Sequence, residues 1–153
     1  MQVNAEPAVP ATRSSKGGFT LARDWKAGDT VALDLPMSWR FVKGRETQAG
    51  RVALLRGPMV FCLGLDRNPG LASVTLRDLV VDPASIGAPE PDDAVRPGGL
   101  SVRAKAWTTA DCSGDRVDVV FTEFADPSGR EVYFRLPVGN SPIPLVDDEI
   151  ISL

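Results

Sequence analysis

Apolar residues recur at every second position along this chain far more clearly than at every third or fourth. In residues 100–107, Leu100, Val102, Ala104 and Ala106 alternate with Ser101, Arg103 and Lys105, which predicts a strand with one face buried and one in water. Residues 116–124 place Val117, Val119 and Phe121 on one face. Residues 131–136 set Val132, Phe134 and Leu136 against Glu131, Tyr133 and Arg135. Nearer the start, residues 18–25 carry Phe19 and Leu21, and residues 30–35 carry Val31, Leu33 and Leu35 as an inward face. The Lys26-Ala27-Gly28-Asp29 turn between them predicts a hairpin, with Gly28 at the position that needs positive φ and Pro36 ending the second strand. Residues 38–43 predict one more short strand before the polar loop 44–50.

Two segments break the alternation. Residues 51–56 and 59–65 are apolar on both sides, the signature of strands at the centre of a sheet or between layers. Arg56-Gly57-Pro58 between them reads as an edge, a bulge or a bend. Residues 76–82 predict a short extended segment ended by Pro83. The Pro/Gly/Asp-rich run 83–99 predicts a connection long for a compact domain, and residues 126–129 a turn. With 14 glycines and 13 prolines, no stretch sustains a helical period through three turns. About eight short strands at regular spacing predict an all-β fold, an antiparallel β-sandwich. Its first half spans 1–82, the connection 83–99, and the remaining strands and tail 100–153, in the same compact unit.

The chain has 153 residues, 43% of them hydrophobic and 24% charged, enough to bury a core. Seventeen basic against 20 acidic side chains leave a net charge of −3, which gives no electrostatic footprint for nucleic acid or an anionic membrane. No apolar run approaches the roughly 20 residues of a membrane-spanning helix. The first residues hold no apolar signal core, so the cytoplasm is the default expectation.

The chain contains no histidine. That removes Ser-His-Asp and Cys-His nucleophile activation and every imidazole zinc site. The two cysteines, Cys62 and Cys112, cannot make a four-thiolate site, so no metal and no cofactor is expected. Cys62 sits among Val60, Phe61, Leu63 and Leu65 and reads as a core residue, since a reactive thiolate needs an electropositive, partly exposed setting. The acids at Asp92-Asp93 and at 147–149 read as solvated loops rather than a glycosidase pair. Asp111, Asp115 and Asp126 lack the spacing of a calcium loop. Trp25, Trp39 and Trp107 leave two alternatives open, a stacking platform for sugars or anchors of a core or interface. Arg56 could pair with a nearby carboxylate such as Asp34, though the sequence does not say which.

Several of these segments, taken in order, resemble one family. VNAE at 3–6, GFTLARDWKAGDTVALDLPM at 18–37, GRVALLRGPMVFCL at 50–63 and FADPSGREVYFRLP at 124–137 are similar to blocks of β-L-arabinofuranosidase-type glycoside hydrolases, family 127 and its relatives. Asp29, Arg56, Gly57 and Pro58 are the markers within those blocks. The resemblance implies that a helical barrel carries catalysis, with a glutamate and cysteines around a zinc ion, and that β-sandwich domains follow it. This chain corresponds to the part after the barrel. It is therefore expected to be a non-catalytic accessory region, inactive alone, whose partner is the barrel and whose enzyme acts on arabinofuranoside-type glycans. Cys62 does not map to the family's nucleophile. In the family an apolar strand precedes the Val-Asn-Gly-Glu-like turn. Here Met1-Gln2 stands there and Ala5 replaces the glycine, so the first strand is expected to be lacking and an unpaired sheet edge to invite a homodimer. A free-standing carbohydrate-binding module that takes a glycan, and a structural dimerisation module, are the alternatives.

Overall fold

Four two-residue strands organise the start of the chain: β1 (Gln2–Val3), β2 (Thr12–Arg13), β3 (Phe19–Thr20) and β4 (Val31–Ala32). They belong to the computed structural model, which describes residues 2–4, 12–13, 18–33 and 37–147. The chain forms two compact units, Met1–Pro36 and Met37–Leu153. In the first, β4 pairs antiparallel with β1, and β3 with β2. The expected hairpin between 18–25 and 30–35 is therefore corrected: each strand takes its partner from the first thirteen residues. Gly28 does adopt positive φ, 93°, and Asp29 N donates to Lys26 O at 3.1 Å to close the predicted turn. Val31 and Leu33, expected to face inward, are exposed at 50% and 60%. A two-stranded ribbon supplies no second layer to cover them. Leu35 and Pro36 lie outside the described residues.

The second unit contains β5 (Trp39–Lys43), β6 (Val52–Arg56), β7 (Met59–Gly64), β8 (Val80–Val81), β9 (Glu90–Pro91), β10 (Leu100–Trp107), β11 (Val117–Glu123), β12 (Gly129–Glu131), β13 (Tyr133–Phe134) and β14 (Leu145–Val146). They form one hydrogen-bonded sheet in the order β14-β5-β6-β7-β11-β10-β8, with β9 added to β10, β12 to β7 and β13 to β6. β7 lies between β6 and β11, the central place that its two-sided apolar character predicts. The β6–β7 connection is a tight turn. Gly57 takes φ 54° at its first central position, as type II′ hairpins require, and Pro58 follows. Along β10, Val102, Ala104 and Ala106 are buried while Arg103 and Lys105 are exposed, so the alternation holds from Val102 to Ala106; Ser101, expected to face outward, is buried and Leu100 is half-buried.

Three sequence expectations are refined. In residues 76–82 a 3-10 turn, Leu76–Asp78, comes first, because Asp78 N and Leu79 N bond back to Thr75 O and Leu76 O at 2.9 and 3.1 Å. Only Val80–Val81 remains as strand. The 83–99 connection folds back on the strand it leads to, with Glu90 and Pro91 opposite Ser101 and Leu100. Residues 131–136 do not form one strand. The register against β7 shifts between Gly129 and Glu131, after which β13 moves over to β6.

The same segment continues to β8. Arg135 O accepts from Val81 N at 2.9 Å, and Arg135 N donates to Leu79 O at 2.8 Å. Residues 129–135 thus step across three strands, and the sheet curls into a half-barrel. Pairing is antiparallel except for β14 on β5 and the Val80–Arg135 bridge, which are parallel. Phe41, Leu54, Phe61, Leu63, Phe121 and Phe134 fill the interior, fully buried, with the Phe121 and Phe134 rings 5.1 Å apart. This core draws on residues from both sides of the 83–99 connection. The fold is all-β: among the described residues the helical pieces are three-residue 3-10 turns, and no helix is long and apolar enough to cross a membrane.

Candidate functional site

The three tryptophans stand in different settings. Trp25 is half exposed in the N-terminal unit, with the Arg23 guanidinium carbon 5.3 Å from its ring centroid. Trp39 starts β5 and packs edge-on against core Phe61, ring centroids 5.0 Å apart at 67°. Trp107 ends β10, and Arg116 lies over its ring at 5.6 Å while pairing with Asp82. The strand registers put Trp39 at the end of the sheet where β10 begins and Trp107 where β10 stops. At ~3.3 Å per residue the registers put them roughly 30 Å apart along the strand direction. The fold does not bring these two together on one platform.

Two of the family-like blocks do meet. Asn4, at φ 53°, donates from Nδ2 to Asp29 Oδ1 at 2.7 Å and accepts at Oδ1 from Thr30 N at 2.9 Å. Asp29 also accepts from Lys26 N at 2.9 Å and sits 3.6 Å from Arg23. The Lys26 amide, then Asn4 and Arg23, hold its carboxyl below the ordinary aspartate value despite some desolvation. Asn4 and Asp29 thus form a polar knot that seats β1 against β4. Arg56, Gly57 and Pro58 build the β6–β7 turn. Gly57 O accepts from Arg40 Nη1 at 2.5 Å, and a Cβ on Gly57 would lie 2.8 Å from Met37 Sδ. Arg56 is half-buried, and its side chain has no hydrogen-bond or ion-pair partner among the described residues; Asp34, a candidate partner, lies outside them.

Cys62 is fully buried in β7. Burial pushes its thiol up from the ordinary cysteine value and outweighs its contact with Thr122 Oγ1 at 3.8 Å. Such a thiol is a packing group, as its apolar sequence neighbours imply. Glycines fit closely around it: a Cβ on Gly129 would stand 2.7 Å from Cys62 Sγ, and one on Gly64 2.7 Å from Ser128 O. The 126–129 turn is thereby seated hard against β7.

Beside that turn lies an open cleft of about 290 Å³, bounded by residues 66–67, 94–95 and 126–128. Its Arg67 pairs with Asp92, which also accepts from Ala94 N at 3.1 Å. Asp92 is buried, contrary to the solvated-loop expectation, because the loop wraps over it and Arg67 supplies its counter-charge. Asp126 accepts from Thr122 Oγ1, Ser128 N and Ser128 Oγ, each at 2.8 Å. Burial alone pushes the Asp126 carboxyl up, yet the Ser128 donors, the Thr122 hydroxyl and nearby Arg67 together hold it below its ordinary value. Sequence reasoning missed this grouping, because its residues come from three distant segments. The only local signal was the Asp-Pro-Ser-Gly turn. Among the described residues, no group of three or more His, Cys, Asp or Glu is placed to hold a metal ion.

No family model matches the chain. Over 75 residues, 46% of its length, it is 41% identical to a non-reducing end β-L-arabinofuranosidase of Bifidobacterium longum subsp. longum, and this stretch is 11% of that protein. It superposes on a GH127 β-L-arabinofuranosidase from Geobacillus stearothermophilus T6 with a TM-score of 0.66 and 23% identity, over 89% of this chain and 24% of that one. A second GH127 β-arabinofuranosidase gives 0.64 and 23% identity, over 90% of this chain and 23% of the other. The two solved structures share the fold. The chain therefore resembles one portion of GH127 enzymes, as its sequence blocks imply, and spans a quarter or less of the proteins it matches.

Proposed function

We infer that this chain is an accessory, non-catalytic region of a glycoside hydrolase that acts on arabinofuranoside-type glycans, and that it supports a helical-barrel catalytic domain outside it. The observation that carries the reading is the 41% identity to a small part of a β-L-arabinofuranosidase, joined to a fold match over nearly the whole chain. The chemistry of the chain agrees with a supporting role. Its buried Cys62 is raised away from thiolate, and Asn4 and the marker residues Asp29 and Gly57 spend their polar groups on turns and strand pairing. In this reading the curled sheet is the family's sandwich. β5, β6 and β13 form one layer, and β7, β11 and β10 the other, with Phe121 against Phe134 between them.

Incubating the chain with an aryl β-L-arabinofuranoside, with and without zinc, is expected to release no phenol above the blank. Turnover by the chain alone would overturn the non-catalytic reading. Deleting the matched segment from the Bifidobacterium enzyme is expected to lower its thermal midpoint, and an unchanged midpoint would overturn the supporting role.

A further inference from the structure

The cleft beside the 126–129 turn brings charged side chains from separate segments together. Arg67 is exposed at the cleft, and it is held by Asp92, whose side chain is 8% exposed. A guanidinium presents five donors, and among the described residues Arg67 commits one nitrogen, Nη2, to Asp92. Asp126 is held by three hydrogen bonds, two at Oδ1 and one at Oδ2. Of about four acceptor sites on a carboxylate, that leaves one unfilled among the described residues. Glycines 64 and 129 allow the turn to sit so close to β7 that Asp126 cannot drift. Donor and acceptor therefore line one cleft, and Val95 and Pro127 add apolar wall to it.

Charge decides the ligand class. Two carboxylates, Asp66 and Asp126, line the cleft against one guanidinium, and Asp92 behind Arg67 adds a third negative group. An anionic ligand such as a phosphate or a uronate meets this excess and is disfavoured. A bare cation is disfavoured by the guanidinium in the wall. A neutral polyol suits both, because adjacent hydroxyls can donate to a carboxylate while accepting from a guanidinium, and its C–H faces can rest on Val95 and Pro127. At about 290 Å³ the cleft is at the lower limit of small-molecule pockets, room for one or two sugar units.

We propose that Arg67, Asp126 and Asp66 form a neutral-sugar binding site on this chain, separate from any tryptophan. Choosing an arabinoside as its first ligand rests on the function proposed above. The test is an amide and arginine side-chain NMR titration of the full chain with an arabino-oligosaccharide, a xylo-oligosaccharide and an oligogalacturonate.

Shifts centred on residues 66–67, 94–96 and 126–129 are expected with the arabino-oligosaccharide and none with the uronate. Arg67→Ala is expected to weaken binding about tenfold or more, the loss of a hydrogen bond to a charged group. Because that change also unpairs buried Asp92, Asp66→Ala serves as the second variant, expected to weaken binding severalfold with an otherwise native spectrum. A cleft response to the xylo-oligosaccharide alone would uphold the site and overturn the arabinofuranoside reading. No shift with any neutral sugar at tens of millimolar would overturn the site. Shifts centred on Trp25, Trp39 or Trp107, or tighter binding of the uronate, would do the same.

Discussion

Placing a methyl group on Gly129 measures how firmly the 126–129 turn is seated. The new Cβ would stand 2.7 Å from Cys62 Sγ and 3.0 Å from Asp126 O. Non-bonded heavy atoms settle at about 3.5–4.0 Å, so the sulfur contact is short by roughly 0.8 Å or more. Neither neighbour yields easily. Cys62 is fully buried in a central strand, and Asp126 O is backbone that accepts from Gly129 N at 3.0 Å. Overpacking of this kind costs about 2–3 kcal/mol, and the lower entropy of an unfolded chain carrying Ala in place of Gly returns about 0.4–1. The net expectation for Gly129→Ala is a loss of about 1–2.5 kcal/mol. Cys62→Ala removes the clashing sulfur and leaves a small void, a loss of about 1–2 kcal/mol taken alone. In the double variant the methyl fills part of that void, so the combined loss falls below the sum by about 1 kcal/mol. The Asp126 O contact survives and keeps the rescue partial. Urea unfolding followed by circular dichroism, fitted with a common m-value, reads all four corners of the cycle. Additivity within about 0.5 kcal/mol, or a Gly129→Ala protein as stable as the parent, would refute the seated turn.

Other consequences follow from the same structure. Glu123, buried in β11, accepts from Arg96 Nε at 2.6 Å, from Arg96 Nη2 at 2.9 Å and from Leu100 N at 3.1 Å. Arg96→Ala should therefore destabilise by about 2–3 kcal/mol, whereas Arg103→Ala, whose pair with Glu90 is exposed on both sides, should change stability by under ~0.5; equal losses in denaturant melts would contradict this. A thiol reagent should titrate Cys112 in the native protein and reach Cys62 only when the chain unfolds. Two rapid equivalents without denaturant would show that Cys62 is not core. Asp126 titrates below its ordinary 3.8 in the folded chain, so its stabilising share is present above that value and is lost as pH falls through the folded pKa. The stability gap between parent and Asp126→Asn should accordingly be constant near neutral pH and narrow only below about pH 4, and a gap independent of pH would remove the linkage.

Period-2 patterning identified the strands whose faces differ in burial. β10 is the clearest case, with Arg103 and Lys105 outward and Val102 and Ala104 inward. The central hairpin was legible for a different reason, since only strands with neighbours on both sides tolerate residues as apolar as those of β6 and β7. Pairing partners were not legible where strands are two residues long. β1 and β2 carry no alternation, so nothing at Gln2 or Thr12 marks them as the partners of β4 and β3. The segment around Tyr133 misled because its alternation is real while its partner changes midway, and a register shift leaves no trace in hydrophobicity. The cleft was hidden most completely. Arg67, Asp92 and Asp126 look like separate surface charges until the loops fold over one another, and only then does Asp92 become buried and Arg67 fixed.

The strap at 129–135 also sets an order of events during synthesis. β6 cannot gain its β13 neighbour, and β8 cannot gain its bridge to Arg135, until a stretch about eighty residues downstream of β6 has emerged from the ribosome. Until then both strands offer open backbone to any other chain nearby. The β6–β7 hairpin can form at once, but the half-barrel is completed late, by contacts far apart in sequence, which places this chain among the slower folders of its size. A nascent protein stalled before residue 135 would leave those strand edges of β6 and β8 uncovered.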